Sequence, residues 1–197
     1  AWDVQGHSSV QSSESKAYPP ANPPTALAGA YSYLSAGVVL SWAASTGNAF
    51  PLSGYNVYRA ACAACTPALV SASPMLGPAS TVYVDSSVAV ANAYWYALTA
   101  MSTEGATTAT AMEGAMTAPL VKVLVPPAAP FGLSVSVAGT TGLALQWSLT
   151  SNPLGVVDAY RVYRGTFAGS PSPGYIATVI GQATTRYTDG GLQPGQR

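Results

Sequence analysis

Apolar and polar residues alternate with period two along much of this chain. In "GVVLSWAAS" (37–45), Val38, Leu40 and Trp42 share one face; in "GLALQWSLT" (142–150), Leu143, Leu145 and Trp147 do. Successive side chains of a strand point to opposite faces, so the pattern predicts strands buried on one side. "AYWYALTA" (93–100) alternates too, with Tyr94, Tyr96 and Leu98 opposite Trp95 and Ala97. Clusters of Gly, Pro, Ser and Asn such as "STGNAFPLSG" and "SNPLG" separate the runs. No window carries a helical stripe. Short strands at regular spacing with such turns predict an all-β sandwich.

The pattern is also repeated. Trp42 and Trp147 are 105 positions apart, as are the blocks "SGYNVYRA" (53–60) and "DAYRVYRG" (158–165). "TVYVDSSV" (81–88) and "TRYTDGGL" (185–192) place Asp85 over Asp189 at an offset of 104. Three blocks in one order at a nearly constant offset predict two copies of a module of about a hundred residues, an ordinary domain size.

The proline-rich lead-in, the Trp of strand B, the Tyr-x-Val-Tyr-Arg of strand C and the Asp ending strand E resemble fibronectin type III domains. In the first copy a Tyr-x-Tyr strand F follows, and "STEG" (102–105) turns toward strand G. The resemblance covers residues 23–197 and implies two immunoglobulin-like β-sandwiches in tandem. The expected organisation is an extended arm (1–22), a first module (23–118), an apolar, proline-bounded linker (119–127) and a second module (128–197). Strands A to G of the first module are expected near 24–30, 36–43, 54–60, 68–72 (C′), 80–85, 92–100 and 106–117. At an offset of 104, Arg197 falls over Ala93, so the second module is expected to lack strands F and G. Either the native polypeptide continues past Arg197, or a strand from another subunit completes the sheet.

Composition narrows the function. Charged residues are 7% of the chain, and seven basic residues balance seven acidic ones. Nothing steers nucleic acid or an anionic membrane surface, and no apolar run is long enough to span a bilayer. Solubility resting on Ser, Thr, Asn and Gln suits an extracellular or cell-surface protein, with "AWDVQGHSS" as a mature N-terminus.

The chain has two cysteines, Cys62 and Cys65, and one histidine, His7. A covalent haem site needs a histidine where Thr66 stands. Zinc needs about four ligands, and a thioredoxin-type pair needs a helix N-terminus. The pair therefore reads as a local disulfide in the loop after strand C, against unpaired or intermolecular thiols and redox catalysis. His7 lies in a polar arm beside Ser8 and Ser9, where no buried carboxylate is expected to complete a triad. Asp85 and Asp189 end equivalent strands in different modules, a poor placement for a glycosidase pair. "RGT" (164–166) is not the Arg-Gly-Asp of integrin-binding members. No catalytic residue, cofactor or metal site is expected.

Surface remains. Tyr58 and Trp95 are expected to point outward from neighbouring strands, as a patch for a protein partner or a sugar ring. "PLVKVLVPP" (119–127) is too apolar for a free linker, so Leu120, Val121, Val123 and Val125 are expected to pack between modules or against another subunit. These features favour a non-catalytic extracellular protein in a surface or filament assembly, with other protein subunits as partners. The alternative is an accessory or spacer region of a secreted enzyme acting on polysaccharide.

Overall fold

The computed structural model describes residues 2, 4–10, 19–71, 76–103, 111–150, 157–165 and 172–193. In the first module, strands β1 (Thr25–Ser32), β2 (Gly37–Ala43) and β5 (Val82–Asp85) form an antiparallel sheet in the order β1-β2-β5. The second sheet runs from β4 (Ala68–Leu69) through β3 (Leu52–Ala60) and β6 (Ala93–Thr103) to β7 (Ala111–Glu113). The inward residues of both sheets, among them Val38, Leu40, Trp42, Tyr55, Val57, Tyr96 and Leu98, make one core. Burying apolar area of this kind is the main favourable term in folding. Trp42 is 5% exposed and meets Tyr55 edge-on at 5.6 Å between ring centroids.

The segment 119–127 is not a linker. Strand β8 (Val121–Leu124) pairs antiparallel with β6, Tyr96 opposite Val121 and Ala93 opposite Leu124. Val125 then donates its amide to Asn92, and Ala91 donates to Pro126. Strand G is thus split into β7 and β8, with Thr117 bonded to Leu98 between them. Pro119 has no N–H to give a ladder, which accounts for the interruption. Val123 and Val125 are 3% and 4% exposed within the first core, and Val121 packs against it. Leu120 is half-buried. The expected packing between modules or subunits is replaced, for the valines, by packing inside module one.

The fold also starts earlier than the expected arm boundary. Ala21 is buried in the core, and its carbonyl lies where a Cβ on Gly114 would stand. Asn22 is bonded to Asn48, Thr46 and Gly47, and Ser45 donates to its carbonyl. The "STEG" turn and the first residues expected for strand G lie outside the described residues beyond Thr103.

The second module repeats the scheme. Strands β9 (Phe131–Val137), β10 (Leu143–Ser148) and β13 (Arg186–Asp189) form a sheet in the order β13-β10-β9, and β11 (Ala159–Arg164) pairs with β12 (Gly174–Ile180). Leu143 sits opposite Asp189 as Val38 sits opposite Asp85. Trp147, 7% exposed, meets Tyr160 edge-on at 5.3 Å and packs with Val157, Val162 and Val179. Among the described residues, no helix is long and apolar enough to cross a membrane.

Candidate functional site

The repeated Arg and Asp of the sequence blocks meet across the two sheets. Arg59 Nη1 lies 2.7 Å from Asp85 Oδ2, with the carboxylate side chain 2% exposed. Tyr96 donates its hydroxyl to the same oxygen at 2.9 Å, while the Ser87 amide and hydroxyl bond to Oδ1. The guanidinium also lies over the Tyr94 ring, 4.9 Å from its centroid. Burial alone would raise the Asp85 carboxyl, but the bonds from Ser87, Tyr96 and Arg59 outweigh it and hold it below the ordinary carboxylate range. Burial and the adjacent Asp85 push the Tyr96 phenol far upward, so it stays neutral. A carboxylate with every lone pair taken by protein donors is a clasp between sheets and not an acid–base group. In module two Arg164 repeats the pair with Asp189 at 3.0 Å, but Arg164 is 48% exposed against 22% for Arg59.

The outer face of the first module's second sheet carries a different set of groups. Tyr55 and Val57 of β3 point into the core, so Asn56, Tyr58 and Ala60 point away from it. On β6, Trp95, Ala97 and Thr99 share that outer face, with Ala97 opposite Tyr58 and Trp95 opposite Ala60. Ala60 and Ala97 are 3% and 0% exposed although they face outward. The large side chains flanking them on that face are Tyr58 and Trp95, both half-buried. Lys122 of β8, opposite Trp95, places its ammonium over the indole, 5.3 Å from the ring centroid.

At the other end of the face stands Glu113 of β7. Its Oε1 accepts from Tyr58 (2.5 Å), Thr99 (2.5 Å) and Asn56 (3.0 Å), reaching across β6 to β3. Burial would raise this carboxyl, and the three bonds, led by that from Thr99, turn the shift downward. Burial and Glu113 together raise the Tyr58 phenol, so the tyrosine remains a donor. Strand period alone picks out Tyr58 and Trp95. Glu113 and Lys122 are missed, because their places on the face depend on the split of strand G.

Cys62 and Cys65 are bonded to each other in the turn after β3, where the Cys65 amide also bonds to the Cys62 carbonyl at 3.2 Å. Among the described residues, no group of three His, Cys, Asp or Glu side chains is placed to hold a metal ion.

No protein-family profile matches the chain. It is 32% identical over 162 residues to Exoglucanase B of Cellulomonas fimi, which covers 79% of this chain and 13% of that protein. It is 32% identical over 156 residues to Chitinase A1 of Niallia circulans, covering 77% of this chain and 20% of that protein. The chain thus spans a fifth or less of these relatives. Among solved structures, an Fn3-like protein from Clostridium thermocellum is 22% identical, with a TM-score of 0.39, covering 56% of this chain and 99% of that one. A two-domain fibronectin type III segment of chicken tenascin is 20% identical, with a TM-score of 0.43, covering 89% of this chain and 86% of that one. The sheet order A-B-E against C′-C-F-G in the first module, and the Trp, Tyr-x-Val-Tyr-Arg and Asp positions shared by both, make this chain a tandem of fibronectin type III sandwiches.

Proposed function

We propose that this chain is a non-catalytic, extracellular accessory region of a polysaccharide-degrading enzyme. The observation that carries the reading is the likeness to an exoglucanase and a chitinase, each matched over a minor fraction of its length. Two enzymes with different substrates share this stretch, which fits a part that supports catalysis without performing it. The residues agree. Asp85 is fully engaged in a clasp, and Glu113 spends Oε1 on three protein donors.

The surface-assembly reading loses one of its two supports, the other being the low charge of the chain. It drew on an apolar linker in need of a partner, and Val121, Val123 and Val125 already pack in the first sandwich. The recombinant chain should release no sugar from cellulose or chitin and should run as a monomer in size-exclusion chromatography with light scattering. Sugar release by the chain, or a stoichiometric oligomer, would overturn the reading.

A further inference from the structure

We infer that the outer face built by Tyr58, Trp95, Glu113 and Lys122 is a binding platform for a neutral β-linked polysaccharide. The inference rests on the accessory reading above and adds a site and a ligand class to it. Three observations carry it.

The first is geometric. Tyr58 and Trp95 are diagonal neighbours on antiparallel strands, the first opposite Ala97 and the second opposite Ala60. Such diagonals lie about 7–8 Å apart. Beside these rings the small Ala60 and Ala97 are 3% and 0% exposed, so the half-buried Tyr58 and Trp95 present an aromatic surface across the two strands. A pyranose presents C–H groups on its ring faces and hydroxyls around its rim, so it needs an aromatic surface with polar groups beside it.

The second is the polar rim. Glu113 is exposed, and three donors hold its Oε1, which fixes the carboxylate in place. Among the described residues no hydrogen bond to Oε2 is seen, and that oxygen is an acceptor for a sugar hydroxyl. The Lys122 ammonium, over the Trp95 ring, supplies donors at the opposite end of the face. A chain with no net charge suits a neutral polymer better than a polyanion.

The third is repetition. Module two carries Tyr163 at the position of Tyr58, exposed and edge-on to Tyr175 of the neighbouring strand at 5.9 Å. Both modules therefore put an aromatic pair on the same sheet face, where it adds nothing to the core. Two modest sites on one chain reinforce each other on a solid polymer.

The test is retention of the full chain on microcrystalline cellulose and on chitin, two sources of the same chemistry. The unsubstituted chain should be retained on at least one solid. Trp95→Ala and Tyr58→Ala should each weaken retention by about tenfold, the loss of one aromatic contact. Because the alanines beneath could be uncovered in those variants, Glu113→Gln and Tyr163→Ala serve as well, each with its thermal melt compared to the parent. Weaker retention with an unchanged melt supports the platform. No retention on either solid, or retention untouched by all four substitutions, overturns it and leaves the face to a protein partner. A chain that is monomeric and inactive but unretained loses this inference alone, since the accessory reading is decided by hydrolysis and light scattering.

Discussion

At the residue scale, the buried pair Arg59–Asp85 has the largest consequence. The Asp85 carboxylate is almost fully shielded, and Arg59 is only 22% exposed. Asp85→Asn leaves the guanidinium without its counter-charge in a partly dry site, a change expected to cost about 3 kcal/mol in urea unfolding. The equivalent Asp189→Asn should cost about 1 kcal/mol or less, because Arg164 is half open to water. The pH dependence follows from the same groups. Asp85 and Glu113 are both held below their ordinary values, so their contribution is complete above the unfolded carboxyl value of about 4. It is lost as pH falls through the lower folded values. Stability should be level from about pH 5 upward and fall below about pH 4, with a shallower fall in Asp85→Asn. On the alkaline side Tyr96 is raised, so stability declines once the unfolded phenol ionises above about pH 10. The tryptophans give a further check: Trp42→Ala or Trp147→Ala should each cost about 3–5 kcal/mol. The disulfide contributes little by comparison. Its loop is so short that the chain-entropy model gives about 2 kcal/mol, against about 4.7 for a loop of a hundred residues. Reduction should therefore lower the melting temperature without unfolding the chain.

At the element scale, the decisive strand is β8. If Val121–Leu124 is half of strand G, Val123→Ser should destabilise the first module by 2 kcal/mol or about that, through lost burial and an unpaired hydroxyl. Leu124→Ser, on the exposed face of the same strand, should change stability by less than about 0.5 kcal/mol. A free linker would show equal, small effects. The sheet strands were largely legible from period and repeat: β2, β3, β6, β10 and β11 lie within a few residues of their expected places. Strand period reads a run that buries one face. It fails where a proline breaks the ladder, because Pro119 makes β8 look like the start of something new. The arm boundary fails for a related reason. Ala21 is too small to register as core, yet it fills the space left by Gly114. The sheet face was half legible: Tyr58 and Trp95 come from alternation, while Glu113 and Lys122 reach that face only through the pairing of β7 and β8 with β6.

At the scale of the whole molecule, two sandwiches of one design differ in how they clothe a common frame. The Trp–Tyr core contact and the Arg–Asp clasp recur at equivalent positions. These recurrences concern stability, and they explain why the repeat is so plain in the sequence. The outward aromatics recur as well, but with different partners, Glu113 and Lys122 in one module and Tyr175 in the other. On the accessory reading proposed above, such a chain serves as scaffold and contact surface, with chemistry left to a neighbouring domain. The measurement that tests this most directly is capture of the native polypeptide from culture medium with antibodies raised against the chain, followed by hydrolysis assays on cellulose and chitin. The account predicts sugar release by the captured polypeptide and none by residues 1–197 alone. A captured polypeptide inactive on both polysaccharides, or one whose activity resides in these 197 residues, would contradict it.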